Sequence, residues 1–145
     1  MESEENGNEH KLRLYAHIGQ FSEEGLATAR VRADGTWAHI HRDGSRAFAQ
    51  SYGGVGPFKH GLASVYQGGS AWHIKADGSA AYQERYRYVG DFVEVGGKLL
   101  AWVVLDIDNY SRERAFHILP DGTPAYEARF NFTGDFQSNG LAQVR

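Results

Sequence analysis

Apolar and polar residues alternate in short bursts along this chain, and each burst ends at a turn-forming pair. Runs such as "GLATARV" (25–31), "GLASVY" (61–66), "KLLAWVV" (98–104) and "GLAQVR" (140–145) place small apolar side chains at every second position. A period of two predicts strands with one face packed. A second set of runs follows: "TWAHIH" (36–41), "SAWHIK" (70–75) and "RAFHIL" (114–119). Each leads into Asp-Gly, at Asp43-Gly44, Asp77-Gly78 and Asp121-Gly122. Asp-Gly between two β-like runs is a strong hairpin signal, because Gly takes a positive φ at little cost. Third strands are expected over "SRAFAQ" (45–50), "SAAYQE" (79–84) and "TPAYEA" (123–128). No helical period of 3.6 persists for three turns.

These runs recur in a fixed order. Phe21, Phe58, Phe92 and Phe136 each stand two residues after a glycine (Gly19, Gly56, Gly90, Gly134) and open the next copy. The expected organisation is an acidic disordered tail over 1–11 and one domain over 12–145. That domain contains full copies at about 21–57, 58–91 and 92–135, with partial copies at 12–20 and 136–145. The fold class is all-β, a tandem array of β-meander repeats. The array either closes, propeller-like or barrel-like, or stays an open stack. A three-stranded unit cannot bury its own apolar face, so neighbouring copies complete it.

Parity assigns the faces. Ala38/Ile40, Trp72/Ile74 and Phe116/Ile118 share one face of the second strands, and His39, His73 and His117 lie on the other. In the first strands Thr28, Ser64, Trp102 and Gln143 fall opposite the small apolar set and are expected to face outward. The expected core is Ile40, Ile74, Ile118, Trp72, Phe116, Phe58, Phe92, Val65, Val103 and Val144.

The order "HI-x-x-DG-x-x-AY-x-x-RY-x-x-VGDF-x-x-GLA-x-V" resembles the WG (KWG) repeat family of bacterial proteins over about residues 12–145. That resemblance implies a β-repeat interaction module and carries no catalytic residues with it.

Composition narrows the function. The 145 residues carry a net charge of −3 without a basic stripe, so nucleic acid is not an expected partner. Cysteine is absent, which removes disulfides and thiolate zinc sites. The longest apolar run, "LLAWVVL" (99–105), is too short to span a bilayer, and the acidic opening "MESEENGNEHK" does not read as a signal peptide. A cytoplasmic location is expected.

Candidate chemistry is sparse. His39, His73 and His117 occupy equivalent positions a whole copy apart, which suits packing against neighbouring strands or turns better than convergence on one metal ion. "DIDNYSRE" (106–113) has alternating carboxylates, but their spacing does not match the twelve-residue calcium loop. Glu84, Arg85 and Arg129 suit surface ion pairs. No metal, cofactor or catalytic residue is expected.

The third copy is ten residues longer than the second, with about four extra residues near "EVGG" (94–97) and about six in "LDIDNYSRER" (105–114). Insertions in repeat proteins map to loops, often on the binding face. Trp, Tyr and Arg dominate interface hot spots. Trp102, Asp106, Asp108, Tyr110, Arg112 and Arg114 are therefore the expected partner-binding residues. The expected function is a non-catalytic module that binds a protein. A carbohydrate-binding surface is the alternative, and a hydrolase or metal-dependent enzyme ranks below both.

Overall fold

A computed structural model describes residues 11–105 and 115–126, together with the backbone of 133–136 and 142–144. The chain is all-β, built from small antiparallel sheets. Strands β1 (Tyr15–Ile18), β2 (Ala27–Val31) and β3 (Trp37–Ile40) form one sheet. Strands β4 (Gly54–Val55), β5 (Leu62–Gln67) and β6 (Ser70–Lys75) form the next. In the third sheet β9 (Lys98–Val104) pairs with β10 (Ala115–Ile118), with β7 (Tyr88–Val89) and with β8 (Val93–Val95). Strands β11 (Thr133–Phe136) and β12 (Ala142–Val144) pair with each other. Among the described residues β1 pairs with β2 and β12 with β11, and no barrel or propeller closes.

Each sheet begins one step earlier than the phenylalanine markers suggest. The short strand before each Gly-x-Phe pairs with the strand after it: β1 with β2, β4 with β5, and β7 with β9. The glycine continues that pairing through its amide, from Gly19 to Thr28 O (2.9 Å), Gly56 to Ser64 O (2.8 Å) and Gly90 to Trp102 O (2.9 Å). A phenylalanine marker thus falls inside a sheet rather than between sheets.

The Asp-Gly turns form as expected, with a different geometry from a two-residue type I′ loop. Only the glycine has positive φ, +88° at Gly44, Gly78 and Gly122 alike. The aspartate instead accepts a hydrogen bond from the amide two residues on, at Ser45 (2.8 Å), Ser79 (2.9 Å) and Thr123 (2.9 Å). These are Asx turns, in which a short acidic side chain takes the place of a backbone acceptor. The Ser45 and Ser79 hydroxyls, with these amides, hold the Asp43 and Asp77 carboxyls below the usual carboxylate range, and at Asp121 the Thr123 amide leads.

The third strands are not continuous. Each is reduced to an isolated bridge, Ile40↔Arg46, Ile74↔Ala80 and Ile118↔Pro124. One more bond follows in each, from Ala47, Ala81 or Ala125 to the histidine carbonyl at 2.9 Å. The chain then bends away and, in the first two copies, rejoins the second strand at Trp37↔Tyr52 and Ala71↔Tyr86. The bend is a matter of packing. It turns residue 48 or 82 under the second strand, where a ring packs against the histidine.

The core matches most of the expected set. Ile40, Ile74, Ile118, Val65, Val103, Phe58, Phe92 and Phe116 are all buried. Trp72 is only partly buried, packed between two apolar clusters. The side chain of Val144 lies outside the described part.

His39, His73 and His117 are buried, packed against their neighbours as expected. The first-strand residues expected to face outward do not: Ser64 is buried and Thr28 and Trp102 are half-buried, while the side chain of Gln143 lies outside the described part. Parity separates two faces correctly but does not say what covers each one. Here the second face is covered by the Gly-x-Phe strand. A Cβ placed on Gly19 would meet Thr28 Oγ1 at 2.7 Å, one on Gly56 would meet Ser64 Oγ at 2.4 Å, and one on Gly90 would meet the Trp102 indole at 2.0 Å. Glycine is needed there because a strand residue's side chain lies across its Cα.

Gly90→Ala is therefore expected to destabilise the protein by about 1–3 kcal/mol through overpacking. The cost should shrink in a Trp102→Ser background, where the neighbour is small. Denaturant unfolding of both single variants and the double variant tests the coupling, and simple additivity would refute the contact as the cause.

Candidate functional site

The histidines come first, because three buried imidazoles at equivalent positions are the most conspicuous titratable groups. His73 Nε2 lies 2.7 Å from Gly90 O, and His39 Nε2 lies 2.8 Å from Gly56 O. A carbonyl only accepts, so Nε2 carries the proton in both rings. Nδ1 is then an acceptor. At His73 it takes the Tyr82 hydroxyl proton across 2.6 Å, and Tyr126 fills the same place at His117. The phenylalanine two residues past the glycine packs on the ring, at 4.5 Å for His73–Phe92 and 4.6 Å for His39–Phe58. Both bonds tie one sheet to the next.

This arrangement holds the imidazole neutral. Burial pushes His73 down to about 4, against the opposing pull of the Gly90 carbonyl and the Asp91 carboxylate. His39 is also lowered, again by burial first. Tyr82 is raised by burial, so its hydroxyl remains a donor at neutral pH. A protonated ring would donate from both nitrogens, so the Tyr82 hydroxyl would have to turn from donor to acceptor and the buried site would carry a charge. The chemistry available to these residues is structural.

One histidine is short of a partner. Position 48 holds Phe where the other copies hold Tyr82 and Tyr126, and His39 Nδ1 is buried without a hydrogen bond. The Phe48 ring still packs edge-on against the imidazole at 5.9 Å.

Among the described residues no three His, Asp or Glu side chains group to hold a metal ion. Of the expected partner-binding residues, Trp102 is described and Asp106, Asp108, Tyr110, Arg112 and Arg114 lie outside the described residues. The carboxylates of 106–113 and Arg129 lie outside them as well. Trp102 does not project into solvent: its indole lies across Gly90 and its Cα pairs with that of His117. Among the described residues Arg85 is not joined to a carboxylate. Its Nη1 donates to the Gln83 and Glu84 carbonyls at 3.1 Å, and its guanidinium stacks 4.1 Å from the centre of the Trp72 ring.

That stack lines a groove of about 380 Å³, bordered by Gln50, Ser51, Tyr52, Gln67, Trp72 and Arg85, with Ile74 at its floor. Parity alone places Trp72 in the core, and Arg85 is expected in a surface ion pair, which does not bring the two together. The signal was present. Only the second copy combines a tryptophan and an arginine at these positions; the first has Ala38 and Ser51, and the third has Phe116 and Arg129.

No helix among the described residues is long and apolar enough to cross a membrane. Comparison with protein-family models, with curated proteins and with solved structures finds no match.

Two outcomes follow from the histidines. Phe48→Tyr is expected to stabilise the protein by about 1 kcal/mol, because it supplies the donor that His39 Nδ1 lacks. A urea midpoint that is unchanged or lower would refute this. Secondly, His73 has a folded pKa depressed below its unfolded value of about 6.5. Its contribution is therefore complete above pH ~6.5 and is lost as the pH falls to about 4, where the folded ring begins to protonate. Stability should fall across that window in wild type and less steeply in His73→Gln.

Proposed function

We propose that this chain is a non-catalytic β-repeat binding module, an open stack of tandem β-meander units of the WG repeat kind, that presents its surface to a protein partner in the cytoplasm. The observation that carries the reading is the use to which the histidines are put. In two successive copies the same imidazole nitrogen bonds the Gly-x-Phe carbonyl of the following copy. The side chains best suited to acid–base chemistry thus stack one unit on the next. A scaffold of this kind leaves its loops free to diverge, and loop growth costs only about 0.6 kcal/mol per doubling of length.

The longer third copy supports the same reading. Four of its extra residues extend a hairpin that is minimal elsewhere. Lys59 pairs with Leu62 across a His60-Gly61 turn in the second copy, whereas Val93–Val95 pairs with Lys98–Leu100 across Gly96-Gly97 in the third. Two residues per strand were added, so every side chain keeps its face. The remaining extra residues, with Asp106, Asp108, Tyr110, Arg112 and Arg114, form the proposed docking loop.

The test replaces Ile107–Arg112 with Asn-Gly in the full chain. Proteins captured from the source organism by wild type should be lost, with affinity reduced by about tenfold or more. A shortened protein that folds and retains full affinity would eliminate the loop as the docking site. A glycan array run in parallel separates a protein partner from a carbohydrate one.

A further inference from the structure

The groove beside Trp72 has a polarity of its own, independent of the protein-partner reading. Its two glutamine side chains have their oxygens engaged and their amide nitrogens unused, while the Ser51 and Tyr52 hydroxyls spend their protons on neighbours. Gln67, which lines the groove, accepts at Oε1 from the Gly53 amide at 2.8 Å, a group that can only donate, so its amide nitrogen is left unused. Gln50 Oε1 accepts from the Tyr52 hydroxyl at 2.9 Å, which leaves the Gln50 amide nitrogen unused. Thr36 Oγ1 donates to the Asp34 carboxylate at 2.7 Å, so the Ser51 hydroxyl proton goes to Thr36 Oγ1 at 3.0 Å and not into the groove.

Arg85 spends Nη1 on backbone carbonyls and is fixed in plane by Trp72, with Nε and Nη2 left over. Among the described residues no carboxylate lines the groove to neutralise it. The neighbouring Glu84 is directed elsewhere: its Oε2 lies 2.8 Å from where a Cβ on Gly122 would sit.

We infer that this groove binds the carboxylate of a small, oxygen-rich acid of the sugar-acid class. The planar edge of a stacked guanidinium matches a carboxylate. The two amide nitrogens then meet acceptor oxygens of the same ligand. About 380 Å³ is room for one or two sugar-sized rings. A neutral sugar fits less well, because the Trp72 face that would stack on it is already covered by Arg85. An extended peptide also fits less well, because its N–H groups would meet unused donors.

The test titrates D-glucuronate into the full chain by calorimetry, with D-glucose and a capped Gly-Glu-Gly peptide as comparisons. Glucuronate should bind, and glucose at the same concentration should not. Gln67→Glu keeps the acceptor for the Gly53 amide while replacing the free donor with a negative oxygen. It should reduce glucuronate affinity by about tenfold or more with an unchanged melting temperature. Gln50→Glu is the second variant and should act in the same direction.

Equal binding of glucuronate and glucose, or unchanged affinity in both variants, overturns the site. Binding of the peptide as tightly as glucuronate overturns the ligand class in favour of an acidic peptide. None of these results depends on whether the docking loop captures a protein.

Discussion

A neutral imidazole buried between a tyrosine hydroxyl and a glycine carbonyl is the contact on which the rest of this structure depends. A buried polar group is costly unless both its donor and its acceptor are used. His73 meets that condition with Tyr82 on one nitrogen and Gly90 on the other. The bond to Gly90 reaches seventeen residues along the chain, as does the bond from His39 to Gly56. It fixes the distance between the strand carrying the histidine and the Gly-x-Phe strand of the following sheet. The glycine must be glycine because Ser64 or Trp102 lies over it. The phenylalanine two residues on is buried because it packs on the same ring. A short sequence signature is thus explained by one buried ring.

The all-β class and the apolar core were legible from period and recurrence. Ile40, Ile74 and Ile118 hold the same place in three runs of the same parity, and all three are buried. The Asp-Gly turns were legible for a local reason, since their geometry is set within about five residues. The covering of the second face was not legible. Parity placed the histidines opposite the isoleucines, which is correct, but a single strand says nothing about the chain that comes to lie over it. The bend that breaks each third strand has the same origin: Tyr82 leaves the ladder to reach an imidazole nine residues earlier, and that reward exists only in three dimensions.

Trp102 shows the same limit at the expected site. Its sequence neighbours in the other copies, Thr28 and Ser64, are small and polar, which suggested a free surface. All three side chains lie across a glycine. The position tolerates hydroxyl and indole alike because what it requires is a side chain beside a residue with none. Variation among copies there reflects a permissive contact, not exposure.

Divergence between copies therefore has to be sorted by what it does to the scaffold. Phe48 in place of tyrosine leaves His39 Nδ1 buried without a hydrogen-bond partner. That is a loss the fold tolerates. Trp72 and Arg85 are different. Their stack sits at the surface, satisfies carbonyls that would otherwise face water, and leaves a fixed cationic edge beside two amide donors. The stack adds a guanidinium plane held rigid against an indole, and rigidity in a cation is of use chiefly to a ligand that must meet it in one orientation. The departures between copies that create unused, oriented polar groups are the ones that point outward to function, and at this groove the Arg85 edge and the two glutamine amide nitrogens are donors.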